Sequence, residues 1–475
     1  MSGFQIRAAG GFGLALISGR VAQAAAFFIM ARMLDEANMG LVSVLTIIYA
    51  GLFQLTNLGF DRYVVYCTDE DEDSLHSAIN AVWSLQLIRT AVILLATAVM
   101  AVAFAGSGKF DLGTAHLLAI ALAVVLISSI SPDLSTHERN GNFSFIARAR
   151  GYSALVGAAT TIGFVLIWPS PWAFVIGQIV TSGIFFVQSF LYSTRLPRVS
   201  FSGADLSKVF NYCKHLLLIA VVSFLSAQIQ NIYVGAMFSP TVLGVYFTWY
   251  RLVNLPRELV MQYATRLQFA KASADYRGGG DIMGPHLRGF AFTIVTLLPF
   301  HLFVWFHGDF LITFVAGPTW APFWWGGQLM AIASMLQAMI QTIGAYTLVH
   351  LPHVSGRLRA GEAIATALFM VLLGPRFGLA GILYSVIIVM AIAMMIRVYL
   401  WYTHFVTTNR LLHARSMVFV LLVVAAPLLL VEAAVLGFVP AGHQSAVIGG
   451  AYLLVNGALF LFTVRRGGRL IGSIK

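Results

Sequence analysis

Charge is what this sequence holds least of. Asp, Glu, Lys and Arg make up 10% of its 475 residues, where a soluble globular chain carries about 25%. That is too little to coat the three or so domains that length alone would suggest. Acidic residues are the scarcer sign, 18 against 29 Lys and Arg, for a net charge of +11. Cysteine is rarer still: Cys67 and Cys213 can make neither a disulfide framework nor a four-cysteine zinc site. Long polar stretches are missing too, the longest covering about 26 residues at 263–288. Together these absences exclude a soluble catalytic domain.

What fills the chain is hydrophobic residues, 59% of it, gathered in runs long enough to cross a bilayer. About 20 mainly apolar residues span the roughly 30 Å hydrocarbon layer. That rule places fourteen spans near 11–33, 39–60, 78–105, 113–132, 151–168, 172–193, 214–238, 240–262, 289–311, 322–349, 357–374, 378–400, 415–438 and 444–464. Pro169-Ser170-Pro171, Ser239-Pro240, Gly317-Pro318 and Gly374-Pro375 stand at breaks a helix does not pass. The first run follows Arg7 as a signal peptide would, but its length and its polar Arg20 and Gln23 make it a span. The fold class expected is an all-α integral membrane protein.

The basic residues orient it. With the N-terminus inside, 23 of the 29 fall on the inner side, while Arg32, Lys109 and Arg376 are outside and Arg20, Arg89 and Arg251 lie within spans. Such asymmetry puts both termini in the cytoplasm, and it accounts for the net charge without any nucleic-acid partner. Trp168, Trp172, Trp320, Trp324 and Trp325 fall near outer span ends, where an interfacial aromatic belt is expected. Cys67 and Cys213 lie at the inner edge, where reduced thiols are expected. The acidic run Asp69 to Asp73 reads as a solvated loop face.

A weak internal repeat runs through the chain. Gln23, Ala31-Arg32-Met33 and Gly40 around span 1 are echoed by Gln228, Ala236-Met237-Phe238 and Gly244 around span 7. Six spans separate the copies, so both have one orientation and the repeat is parallel, about an axis along the membrane normal. Segment 194–213 joins the halves and reads as a surface helix with Ser202 at the N-cap and Asp205 in a capping-box position.

Further short motifs follow in order: Ala31-Arg32-Met33-Leu34 with Gly40, Leu58-Gly59, Leu196-Pro197 with Phe201, and Leu243-Gly244-Val245-Tyr246. Leu255-Pro256, Gly317-Pro318-Thr319-Trp320 and Phe377-Gly378-Leu379-Ala380-Gly381 continue the series to about residue 390. In these the sequence resembles the polysaccharide-transport branch of the multidrug/oligosaccharidyl-lipid/polysaccharide flippase superfamily, the O-antigen flippase type. Where that family has an acid before the outer end of span 7, Gln230-Asn231 stand instead. The resemblance implies two pseudo-symmetric six-helix lobes in a V, plus two C-terminal helices. Residues 1–193 would form the N-lobe, 194–213 a cytoplasmic linker helix, 214–400 the C-lobe, and 401–475 the last two spans and a basic tail. It further implies a bacterial inner membrane location and a lipid-linked oligosaccharide substrate moved between leaflets. Glycan polymerase or co-polymerase proteins are the partners expected.

The polar residues within spans point the same way independently. Arg20 is about 13 Å into span 1, and Arg89 and Arg251 about 17 Å into spans 3 and 8, at 1.5 Å per residue. Each shares a helix face or a half of the chain with amides: Gln23 with Arg20, Gln86 with Arg89, and Gln228 with Asn231. Gln337 and Gln341 stripe span 10 beside Ser334. Lipid satisfies none of these groups, so they must face protein or water. Either they line one cationic cavity for an anionic cargo, or the arginines satisfy buried carbonyls and helix C-termini while the amides bond between helices. Glu432 is the one deep carboxylate, near the outer end of span 13, where a structural role is favoured.

Other chemistries find little support. Gly106-Ser107-Gly108-Lys109 lacks the rest of a phosphate-binding loop, with Ala103 and Phe110 where Gly and Ser or Thr belong. His350 and His353 have no Cys or carboxylate nearby for a metal, and no cofactor is expected. An enzyme such as a glycan polymerase needs a large outer loop that is missing here. A drug or cation antiporter of the same superfamily is the main rival, but deep carboxylates to attract a cation are lacking in spans 1–12. The expected function is therefore a flippase carrying a polyprenyl-pyrophosphate-linked oligosaccharide from the cytoplasmic to the outer leaflet by alternating access, and not an enzyme.

Overall fold

The structure, a computed structural model, describes residues 3–56, 59–66, 72–107, 113–140, 143–278, 283–406, 410–438, 444–445, 447–452 and 454–455. They form helices joined by short connections, with no strand among the described residues. In order these are α1 (Gly3–Met33), α2 (Glu36–Thr56), α3 (Phe60–Tyr66), α4 (Glu72–Ser107), α5 (Thr114–Ser128), α6 (Leu134–Arg139) and α7 (Phe143–Ile167). Then come α8 (Trp172–Leu191), α9 (Gly203–Met237), α10 (Pro240–Gly278), α11 (Met283–Ala316), α12 (Trp324–His350), α13 (Pro352–Leu400) and α14 (Arg410–Phe438). A 3-10 turn, Pro318–Phe323, precedes α12, and C-terminal helical residues follow α14.

Eight segments among the described residues are long and apolar enough to cross a membrane. Large apolar side chains such as Ile167, Val102 and Leu191 are exposed, as they must be where the surrounding solvent is hydrocarbon. The protein is an all-α integral membrane protein. Expected spans 11 and 12 fall together in α13, which breaks at Gly378 with φ 60° and ψ −140°. The described glycines with positive φ are Gly59, Gly317 and Gly378. All three belong to the short motifs named above, so those motifs mark joints where a Cβ would be strained.

The chain divides into two compact units, Met1–Phe247 and Thr248–Lys475. In the first, α1 packs along α7, α7 along α8, α8 on α5, and α2 on α9 and α5. Small residues permit these approaches. Gly19 of α1 rests on Gly151 and Ala154 of α7, and α7 crosses α8 where Gly157 meets Thr181 and Gly177 meets Thr161. That spacing lets helices close on each other in a bilayer, where no hydrophobic effect drives them together.

The repeat has a structural counterpart in this unit. A Cβ on Gly40 of α2 would strike the Pro240 carbonyl of α10, and one on Gly244 of α10 would strike the Glu36 carbonyl of α2. Each glycine thus rests on the carbonyl four residues before the other. A two-fold relation between two copies produces just such reciprocity.

The linker keeps the expected N-cap but not the expected extent. Helix begins at Gly203, after Ser202, and runs unbroken to Met237, while residues 194–202 are not helical. The cause lies in where the backbone donors go. Buried Asp133 accepts from the Thr194 and Arg195 amides at 2.7 and 3.2 Å. Asn80 and Ser84 of α4 accept from the Arg198 and Ser200 amides at 2.7 and 2.8 Å. Ser202 stands at the N-cap without a side-chain capping bond. Asp205 accepts instead from the Ser77 hydroxyl at 2.7 Å; that bond, and one from Ser202, hold its carboxyl below the usual carboxylate range. α9 packs on α2, α3 and α4 and so clusters with the first unit, although the repeat assigns it to the second half. Cys213 is buried there against Phe60, Val64 and Val82. Cys67 and residues 69–71 of the acidic run lie outside the described residues.

In the second unit α11 packs on α12 and α14, and α12 on α13. Trp249 lies over Gly326 and Gly327 and donates its indole N–H to the Phe323 carbonyl at 2.9 Å. Trp168 and Trp324 are exposed as interfacial residues should be, but Trp320 is fully buried. It belongs to the packed joint opened by Gly317, not to an aromatic belt. Buried Arg397 pairs with Glu362, tying together the two arms of α13 on either side of Gly378.

Candidate functional site

Arg20 and Gln23 stand one turn apart on α1, and both are exposed, while Gly19, Ala26 and Met30 of the same helix are buried. Among the described residues Arg20 makes no hydrogen bond or ion pair. The Arg20 guanidinium is thus presented away from the packed face of α1.

Arg89 is arranged otherwise. It is buried, donating from Nε to the Thr56 hydroxyl at 2.9 Å and from Nη2 to the Phe53 carbonyl at 3.0 Å. Its guanidinium also lies over the Phe53 ring, 5.4 Å from the centroid. Phe53 is among the last four residues of α2, whose carbonyls have no partner within the helix. A cation there also meets the negative end of the helix dipole. Of the two roles the sequence leaves open, the geometry of Arg89 is that of a helix C-terminal anchor. Gln86, one turn earlier, is buried and its Oε1 has no hydrogen-bond partner among the described residues. Asn80 and Ser84, further down α4, are taken up by the linker.

On α9, Asn231 donates to Gln228 Oε1 at 2.9 Å, while its own buried Oδ1 has no partner among the described residues. Gln230, standing where the family has an acid, accepts the Tyr246 hydroxyl at 2.5 Å. In the second unit Arg251 is exposed on α10, and Gln337 and Gln341 are half-buried on α12 beside buried Ser334.

Two groups escaped sequence reasoning. Arg257, counted with the inner-side basic residues, is buried and donates to Asn254 Oδ1 at 3.0 Å. α10 continues past Pro256 instead of ending near 262, so this residue sits within a packed helix. The three-residue spacing of Asn254 and Arg257 was the available signal. The second group joins Glu432 to His307, 125 residues apart, which no local pattern could reveal. No cluster of three or more metal-ligating side chains occurs among the described residues. The first unit thus presents the Arg20 guanidinium and the Gln23 amide at its surface, and the second presents Arg251.

The chain superposes on a structure described as the lipid II flippase MurJ in an inward closed conformation, with a TM-score of 0.69 over 96% of this chain and 98% of that one, at 13% identity. It is also similar to inward-facing and outward-facing structures of a multidrug resistance MATE family transporter of the MOP superfamily. Their TM-scores are 0.55 and 0.51, covering 81% and 83% of this chain and 93% and 94% of those, at 13% and 16% identity. These likenesses define the class: a multi-pass membrane protein with the fold of MOP-superfamily transporters. No curated protein matches the sequence. The pattern of the polysaccharide biosynthesis protein family, however, matches residues 29–324, and the chain belongs to that family.

Proposed function

We propose that this protein is a flippase that moves a polyprenyl-pyrophosphate-linked oligosaccharide from the cytoplasmic to the outer leaflet of the bacterial inner membrane, for surface or exopolysaccharide synthesis. Family membership and the likeness to a lipid II flippase support the class of cargo. The observation that carries the reading is Arg20, exposed beside Gln23 on α1, an expected span, with no acid paired to it among the described residues. Hydrocarbon cannot hold such a charge, so it must face water or an anionic ligand. A guanidinium fork matches phosphate oxygens bidentately and keeps its charge throughout.

In this proposal Arg20 and Arg251 attract the pyrophosphate, and Gln23, Gln228, Asn231, Gln337 and Gln341 meet sugar hydroxyls. Gln86 and Arg89 form the wall behind, with Arg89 holding α2 in place. The lobes, 1–193 and 214–400, rock to open the cavity inward and then outward. Both termini are cytoplasmic, and glycan polymerase or co-polymerase proteins receive the product. A drug or cation antiporter is the second reading, favoured by the likeness to MATE structures. Glycan export in cells tests the choice. Arg20→Ala should lower it about tenfold or more, the scale of losing one charge-assisted hydrogen bond of about 1.5–3 kcal/mol, at unchanged protein level in the membrane. Normal export by Arg20→Ala and Arg251→Ala, with drug resistance conferred by the wild type, would favour the antiporter instead.

A further inference from the structure

Glu432 is buried in α14, where a carboxylate needs partners. Its Oε1 lies 2.9 Å from His307 Nε2 of α11, and its Oε2 accepts the Tyr452 hydroxyl at 3.2 Å. His307 Nδ1 in turn lies 2.9 Å from Ser445 Oγ. Four side chains thus form an unbroken chain, Ser445–His307–Glu432–Tyr452, across α11, α14 and the C-terminal helical residues. His307, Glu432 and Tyr452 are 6%, 7% and 3% exposed. The ring of His307 stacks on Phe303 at 5.3 Å, at the point where the α11 backbone departs from helix (φ −126°, ψ 33°).

This chain accepts two proton counts without losing a bond. With both ring nitrogens protonated, Nε2–H donates to the Glu432 carboxylate and Nδ1–H to Ser445, and the four groups together are neutral. When one proton leaves for the aqueous phase, Nε2–H still donates to Glu432. The Ser445 hydroxyl, able to donate or accept, rotates to donate to Nδ1, and the net charge becomes −1. Only a hydroxyl turns. A buried ion pair lacking this relay loses a bond when it titrates, at a cost of several kcal/mol.

Among the described residues few other charges bear on the pair. Tyr452 belongs to the chain itself, and Asp309 on α11 is exposed. His301 on α11 is engaged with the Leu297 carbonyl at 2.7 Å. The 3-10 turn carries no titratable side chain. Tyr346 and His350 of α12, and Arg410, His413 and Arg415 of α14, stand at the opposite ends of their helices from the residues nearest Glu432 and His307.

We propose that Ser445, His307, Glu432 and Tyr452 form a single-proton binding site, and that its occupancy gates transport. The gating half rests on the flippase reading; the site itself does not. Full-length protein carrying isotope-labelled histidine tests the site by nuclear magnetic resonance. One imidazole, identified by its loss in His307→Gln, should change by one proton between about pH 5 and pH 9. Its midpoint should move by about one pH unit or more in Ser445→Ala, which removes only the hydroxyl relay. An imidazole that keeps one protonation state across that range, or a midpoint unmoved in Ser445→Ala, overturns the site.

Glycan export measured against pH in cells tests the gating. Wild-type export should vary about threefold or more over the range in which His307 titrates, and Glu432→Gln export should be flat. The Gln side chain keeps the shape, accepting from Tyr452 and donating to neutral His307. Should that variant not reach the membrane, Ser445→Ala serves, with the export profile expected to shift along with the midpoint. A pH profile unchanged in the variant that is present overturns gating. Export independent of this protein would sink the flippase reading and the gating with it, and the resonance titration would still decide the site.

Discussion

Arg20 and Arg89 carry the same group and end in different places. Arg89 is spent on the open Phe53 carbonyl of α2 and the Thr56 hydroxyl, so its loss should fall on folding. Arg89→Ala should destabilise the purified protein by about 1.5–3 kcal/mol, the worth of hydrogen bonds to a charged group, visible as a lower melting temperature in detergent. Arg20→Ala, removing an exposed side chain, should leave that temperature within error while export fails. At the membrane edge, Asp205 sets a pH signature. Its carboxyl is held low by Ser77 and Ser202, so the stabilisation is present above the ordinary value of about 3.9 and is lost as pH falls through the lower folded value. The melting difference between wild type and Asp205→Asn should be constant near neutrality and shrink towards zero in acid below about pH 4.

At the level of elements, the break at Gly317-Pro318 was legible because glycine and proline act locally on backbone geometry, whereas the one expected at Gly374-Pro375 falls at Gly378, helix passing through Pro375. The polar stripes were legible as polar but not by destination. Spacing shows that Asn80, Gln86 and Arg89 share a face of α4, yet not that the face meets an extended linker at one end and the end of α2 at the other. Residues 194–202 stay out of helix for a related reason: Asp133, some sixty positions earlier, accepts from the Thr194 and Arg195 amides, and Asn80 and Ser84 accept from those of Arg198 and Ser200. The repeat, faint as letters, is plain as packing where Gly40 and Gly244 support each other's helices. Gly40→Val and Gly244→Val should each force α2 and α10 apart at a cost of about 1–3 kcal/mol or more. Comparing melting temperatures with Gly163→Val, where nothing crowds the added carbon, checks this; equal effects at all three positions would contradict the crossing.

For the molecule as a whole, fold class and family followed from scarcity of charge, run length and scattered motifs, which global composition and short spacing both report. Contacts such as Glu432 with His307, joined across 125 residues, did not. The lopsided basic residues predict that reporters fused at both termini will be cytoplasmic and that one inserted at 107–110 will be outside. An anionic cargo crossing outward also gains about 2.3 kcal/mol per charge per 100 mV of inside-negative potential, so no nucleotide hydrolysis is required. The central claim, that a lipid-linked glycan changes leaflets through this protein, is met most directly by following that intermediate in cells lacking the chain. It should accumulate on the cytoplasmic leaflet, clear on complementation with the wild type, and persist with Arg20→Ala. An intermediate that still reaches the outer leaflet at the wild-type rate in the deletion would contradict the account.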